Sequence, residues 1–427
     1  MHVFGRLLQR HRGACGLIAT ALGFFLAMDM LGLWMWVGVP HIVPTLADWY
    51  GTLSASDCYA QGIDVYVTNP CDPYGRIHVY GHPWLYLSWL GLTRDTHFIS
   101  GMAFIVIPYI VAAAFTLGPK TPREFLLALI ILLSPASMLG IERANIDLFV
   151  FVLGVVSSAL VATRMPANVA TALGLHVLSG LLKYYPFTGG ANLWWGVRSR
   201  FGVICVSVIY AVASAVAIAS TWWQIQRVTS TMTDSPAGGP SFGADLAFLL
   251  LNQQTAVPLQ FNNVALATIV ALALTTIVGC LLAFRLEFRS STIWQRSAYS
   301  CGAALLLGCY FAISNYDYRL VFVIMTIPLI LAERDGMPRL VFPAWIALIL
   351  ISLWAYAINR AIKGGIGLFV ADEGILQQVG GVLYLIEYFA AYPLFALLVG
   401  GFMRLAIDHW RGLQWRSRFG ELGRAPQ

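Results

Sequence analysis

The sequence predicts an all-α protein, a polytopic transmembrane helical bundle, and three observations carry that expectation. Of its 427 residues, 59% are hydrophobic and only 11% charged, with a mean hydropathy of +0.73; a soluble chain carries roughly 25% charged residues. Apolar runs of about 20 residues recur from end to end, each long enough to cross a ~30 Å hydrocarbon layer as a helix. Basic residues stand singly between these runs, so the formal charge of +6 reads as membrane topology and not as a nucleic-acid surface. The lipid bilayer is the expected surrounding and no nucleic-acid partner is expected. The same composition excludes disorder, collagen and a disulfide-stapled secreted module.

The expected elements follow in order along a single integral membrane domain over residues 1–427. Arg6, Arg10 and Arg12 precede an apolar run from Ala14 to Val39, too long for the 7–15-residue core of a signal peptide, so a retained first span is expected. A polar, aromatic-rich outer loop over 40–96 follows, with a surface helix near Trp84 to Leu92. Spans are then expected at 97–118, 122–141, 145–163 and 167–184, with a short apolar piece at 186–197 and a span at 201–223. A Gly/Pro/Ser-rich outer loop over 224–262 precedes spans at 263–284, 296–314, 318–333, 339–358 and 379–403, and a polar tail over 404–427 closes the chain. That layout has 11 or 12 crossings, according to whether the short piece counts.

Charge distribution orients the layout. With both termini in the cytoplasm, 18 of the 26 Lys and Arg fall on the inner side, against only 6 of the 20 acids, as the positive-inside rule requires. The alternation needs the 186–197 piece to return the chain inward, which favours twelve crossings. Cys58 and Cys71 share the first outer loop and could pair in an oxidising compartment.

The outer face then collects the unusual polar motifs: Glu142-Arg143-Ala144-Asn145-Ile146-Asp147, Lys183-Tyr184-Tyr185-Pro186 and Asn315-Tyr316-Asp317-Tyr318-Arg319. Arg319 falls in the first turn of an expected helix, where the dipole disfavours a cation by roughly 0.3–1 kcal/mol. Something anionic should offset it, either Asp317 in a local ion pair or a phosphate held also by free backbone N–H groups. Arg143 and Asp147 stand four apart and could pair on one helix face, or Asn145 and Asp147 could serve only as caps. Lys183, at a helix C-terminus, suits either the dipole or an anionic ligand. Asp48, followed by Trp49 and Tyr50, suits a general base beside the membrane, although a helix cap or solvated acid explains it as well. Asp29 stands within the first run without an evident partner and ranks below Asp48. His78 and His82 lack a third ligand, so no zinc site is expected.

The order of these residues resembles the GT-C superfamily of membrane glycosyltransferases, and most nearly glycosyltransferase family 87, the polyprenyl-phosphate-mannose-dependent mannosyltransferases of bacteria. Asp48 after the first span, then Gly62-Ile63-Asp64-Val65-Tyr66, matches an Asp and Gly-x-x-x-Tyr-like segment of that family, and Lys183 to Pro186 matches its Lys-x-x-Pro element. The stretch NPCDPYGRIHVYGHP departs from the family in length and Cys/Pro content. The resemblance implies transfer of a sugar from a polyprenyl-phosphate donor to a glycan or glycolipid acceptor, outside the cytoplasmic membrane. Asp48 would be the base, and Arg319, Lys183 and Arg143 the phosphate-binding cations. Glu142, Asn145, Asp147, Tyr66, Tyr184, Asn315 and Tyr318 would line the substrate site. No metal and no other cofactor is implied, since no Asp-x-Asp pair occurs. A flippase of lipid-linked sugars, or a polymerase or ligase of lipid-linked glycans, is the competing expectation. The first would want midplane polar groups and internal repeats, the second a large late loop.

Overall fold

The computed structural model describes residues 11–231, 241–243, 246, 249–250, 261–312, 315–367 and 372–413. Helix α1 (Arg12–Leu31) stops where Gly32 takes a left-handed conformation (φ 64°) and returns its N–H to Asp29 and Met28 carbonyls. The apolar run was expected to continue as one helix to Val39. Instead it breaks, and a 3₁₀ turn (Trp34–Val37) takes over. Asp29 therefore lies in the last turn of α1, and its Oδ1 accepts the Thr45 hydroxyl at 2.7 Å. Helix α2 (Ala47–Ala60) begins after Leu46, whose positive φ of 65° turns the chain, and is joined to the following loop by the Cys58–Cys71 disulfide. The expected surface helix forms as a 3₁₀ helix (His82–Leu90) that opens on a proline and ends at Gly91. Ser56 ties it to α2 by donating to the Leu85 carbonyl at 3.0 Å.

Helix α3 (Arg94–Leu117) crosses with a π-turn at Met102–Val106. The expected span over 122–141 is two helices, α4 (Pro122–Leu132) and α5 (Pro135–Arg143), bent by 54°. The bend falls where Ser134 caps α5 and Pro135 cannot donate to the preceding turn. Helices α6 (Ile146–Ala162) and α7 (Pro166–Lys183) form the next hairpin, and Tyr184 (φ 64°) ends it. The short apolar piece is a 3₁₀ helix (Tyr185–Gly196), and α8 (Arg200–Thr231) runs on past the expected 223. Most of the expected loop over 224–262 lies outside the described residues.

Helices α9 (Phe261–Ala283) and α10 (Ile293–Ala312) lead to a two-residue strand β2 (Asn315–Tyr316), which pairs antiparallel with β1 (Ser241–Phe242). The expected span at 318–333 is largely 3₁₀ (Asp317–Thr326), continued by a short α11 (Ile327–Ala332). Helix α12 (Val341–Gly367) and the 40-residue α13 (Glu373–Gly412) complete the bundle. The tail expected from 404 is thus helical to Gly412, and 414–427 lie outside the described residues.

Among the described residues six helices are long and apolar enough to cross a membrane, or seven if the bent pair α4–α5 is one span. Only 17–22% of the span windows of α1, α8, α9 and α12 is buried, and Ile204, Val208, Val212 and Val216 stand exposed along α8. Such contiguous apolar surface demands lipid. In the 3₁₀ helix Asp317–Thr326, by contrast, every residue except Arg319 is buried. The protein is an all-α, multi-pass membrane bundle in which the irregular segment Asp317–Thr326 is inside while the regular helices α1, α8, α9 and α12 face lipid. That order follows from the bilayer, which tolerates imperfect backbone pairing only where protein surrounds it.

Candidate functional site

The site is built where several helices end together. Asn145 caps α6 by accepting the N–H of Asp147 at 3.0 Å, and its amide then reaches in two directions. Its Nδ2 donates to Asp48 Oδ2 at 2.6 Å, and its Oδ1 accepts from Lys183 Nζ at 2.9 Å. The first turn of α2, the turn between α5 and α6 and the last turn of α7 are thereby locked together.

Asp147 is fully buried and saturated. Its Oδ2 meets Lys183 Nζ at 2.8 Å and Arg319 Nε at 3.3 Å, and its Oδ1 accepts the Tyr185 hydroxyl. The anion needed beside Arg319 at its helix start is therefore Asp147 and not Asp317. The expected Arg143–Asp147 pair is also absent: Ala144 takes φ 43° and separates α5 from α6, so the two residues do not share a helix face. The expectation that Asn145 caps the helix is borne out.

Asp48 is held more loosely. Oδ1 lies 3.5 Å from Arg76 Nη1 and 3.9 Å from Arg143 Nη1, long for ion pairs, and the side chain is 12% exposed. Arg76 is anchored elsewhere, to Asp72 Oδ2 at 2.9 Å and the Ala47 carbonyl at 2.8 Å. Arg143 Nε lies 3.4 Å from Glu142 Oε2, but neither atom has a hydrogen-bond partner. Glu142, fully buried, spends its other oxygen on His41 Nδ1 at 2.7 Å and the Ile42 N–H at 3.1 Å. Four cations (Arg76, Arg143, Lys183, Arg319) thus face four carboxylates (Asp48, Asp72, Glu142, Asp147) in one cluster, which is how charges are tolerated next to lipid.

Aromatic rings close the cluster. Lys183 Nζ lies 4.8 Å from the Tyr80 ring and 5.5 Å from that of Tyr318, and Arg319 sits 4.9 Å from the Tyr185 ring. Tyr80 is brought there by Gly81, which donates to the Leu182 carbonyl at 2.9 Å and where any Cβ would strike the Leu181 carbonyl. Tyr66 and Tyr184 stand apart from Asp48. They belong to a second apolar cluster with Ala55, Val65 and Leu85, linked to the charges through Tyr184 donating to the Tyr80 carbonyl at 3.0 Å and through the His78 ring between Tyr66 and Tyr80. Asn315 donates to the Cys309 carbonyl at 2.6 Å. His78 and His82 do not share a ligand: His78 lies against the Gly81 carbonyl at 3.3 Å, and His82 against the Tyr59 hydroxyl. Burial depresses the His78 imidazole to about 4, so it is neutral.

Sequence reading singled out Asp48, Glu142, Arg143, Asn145, Asp147, Lys183, Tyr318 and Arg319, and the fold brings all eight together. It missed Arg76, His41, Tyr80 and Tyr185. Arg76 and Tyr80 lie in the same loop that departs from the resembled family, and a cation in the loop following a candidate base was the available signal. His41 carried none. Fold and cluster together define a multi-pass α-helical membrane protein with a charge-lined site at one end of its bundle. No family model, curated protein or solved structure matches the chain.

Proposed function

We propose that the protein is a glycosyltransferase of the GT-C type. It moves a sugar, mannose or another hexose or pentose, from a polyprenyl-phosphate donor to an acceptor hydroxyl with inversion. In this reading the chain makes 11 or 12 crossings of a bacterial cytoplasmic membrane with both termini inside, and the Asp48 cluster faces outward. The Cys58–Cys71 disulfide supports the outward side, because such bonds persist in oxidising compartments.

The setting of Asp48 carries the reading. One oxygen is fixed by Asn145 while the other keeps slack beside Arg143 at the rim of the bundle. Asp48 Oδ1 takes the acceptor hydroxyl proton as that oxygen forms its bond to the anomeric carbon. The bond from that carbon to the phosphate oxygen breaks, and its electron pair leaves with the lipid phosphate. Arg143, whose Nε retains hydrogen-bonding capacity, meets the developing charge, and Lys183 and Arg319 support it from behind Asp147. A single carboxylate suffices for direct displacement with inversion.

The test is Asp48→Asn, in membranes supplied with a radiolabelled polyprenyl-phosphate sugar. Loss of a general base lowers turnover by roughly 10²–10⁴-fold; turnover near that of the unaltered protein removes Asp48 from the role.

A further inference from the structure

The opposite end of the bundle holds a second gathering of charge, built on different principles. Helix α6 carries the chain from Asn145 to Ala162, about 25 Å at 1.5 Å per residue, and Arg164 follows in the turn before α7. Arg164 takes φ 56°, a conformation that side chains other than glycine rarely adopt, and its Nε donates to the Trp195 carbonyl at 3.3 Å. Arg296, in the first turn of α10, lies 5.7 Å from the ring of the same Trp195. Its position at a helix start is unfavourable for a cation. Arg198 follows Trp195 by three residues and is exposed. Trp195 itself is buried, anchored by its Nε1 to Ser300 Oγ at 3.0 Å, with the His409 ring tilted against it at 4.4 Å.

Three arginines from three separate segments thus come close together beside Trp195: Arg296 against its ring, Arg164 on its carbonyl, and Arg198 near enough to Arg164 to repel it. Burial first, and then the charges of Arg198 and Arg296, lower the proton affinity of Arg164. Among the described residues none of the three is in an ion pair, and the carboxylates at this end are engaged elsewhere. Asp408 holds Arg404 at 2.8 Å, Glu287 holds Arg289 at 2.6 Å, Asp335 holds Arg334 at 3.2 Å, and Glu333 accepts the N–H groups of Arg289, Ser290 and Ser291. The contrast with the Asp48 end is one of kind: there every cation of the cluster faces a carboxylate, whereas here, among the described residues, these three arginines face none. Beside the cluster, Phe201 and Ile204 at the start of α8 are exposed to lipid, and Trp410 is exposed under Arg200, 5.3 Å from its ring.

We propose that Arg164, Arg198 and Arg296, gathered around Trp195, bind the phosphodiester headgroup of an anionic phospholipid from the leaflet at that end of the bundle. Guanidinium forks match phosphate oxygens two at a time, and basic pockets between membrane helices favour anionic headgroups. The apolar surface at Phe201 and Ile204 gives the acyl chains a place to lie, which a free phosphate would not use. The site does not depend on the glycosyltransferase reading.

The experiment is retention of phosphatidylglycerol against phosphatidylcholine by the purified full-length protein, measured by native mass spectrometry, with a melting curve for each lipid. The unaltered protein is expected to retain phosphatidylglycerol preferentially and to melt higher with it. The double variant Arg164→Gln with Arg296→Gln is expected to bind it about 30-fold more weakly, at the strength lost with two surface cations. The double variant Arg12→Gln with Arg339→Gln removes the same charge away from Trp195 and should retain the preference. Arg164→Lys with Arg296→Lys keeps the charge, provides a folded comparison, and should fall between. Equal retention of the two lipids, equal loss in both Gln variants, or the same stabilisation by inorganic phosphate without lipid would each overturn the proposal.

Discussion

Asp147 and Asp48 stand on either side of one side chain, Asn145, yet the structure treats them oppositely. Asp147 is fully buried, and both its oxygens are taken by Lys183, Arg319 and Tyr185. Asp48 has one short bond, to Asn145, and two long approaches from arginines at a partly open rim. A carboxylate with no slack holds elements together, whereas one with slack can exchange a proton. The candidate base is therefore the less well bonded of the two acids, and the better bonded one is what keeps the cations in place around it.

The largest effect should come from removing the tight half. Asp147→Leu leaves Lys183 and Arg319 buried without their anion, and breaking a buried pair in this way costs about 3–5 kcal/mol. The expected outcome is loss of folded protein in a detergent melting assay; a melting point within a few degrees of the unaltered protein would place the hub elsewhere. The loop that follows α2 offers a second way of burying a polar group, as a neutral one. His78 titrates near 6.5 when unfolded and at about 4 when folded, because burial opposes its charged form. The stability it permits is complete above pH 6.5 and drains away as pH falls toward 4, at about 3 kcal/mol in full. Limited proteolysis between Gln61 and His82 should rise over that window, and His78→Phe should flatten the rise. Asn145→Ala removes the bridge between the two halves together with a helix cap, and is expected to cost about 2 kcal/mol, seen as a lower denaturation midpoint with activity also reduced. Asp48→Asn should be smallest in stability, within about 1 kcal/mol in the same assay, although largest in rate. A stability loss as great as that of Asp147→Leu would make Asp48 another structural anchor and erase the distinction.

Much of the site was legible because its chemistry is local. A cap sequence such as Asn145-Ile146-Asp147 starts a helix wherever it occurs, and Lys183 before Tyr184-Tyr185-Pro186 ends one. Partner choice was not legible. Either Asp317, two residues away, or a phosphate was expected to offset Arg319, but it binds Asp147, 172 residues away, because the 3₁₀ helix carrying it packs against α5 and α6. Likewise Arg143 and Asp147 have helical spacing, and only the left-handed Ala144 shows that no single helix contains both. Tyr66 matched a motif and yet belongs to the aromatic wall behind Tyr80, a separation that depends on how the first loop folds over α2.

Membrane residence follows from the sequence alone, because it depends on composition and run length, which are additive along the chain. So do the positions of most helix ends, which depend on Gly, Pro, Asn and Ser acting within one turn. Which cation meets which carboxylate, and which three arginines stand without one among the described residues, came only from the tertiary structure. Those pairings are contacts between segments far apart in the chain, and packing alone brings them within reach of one another.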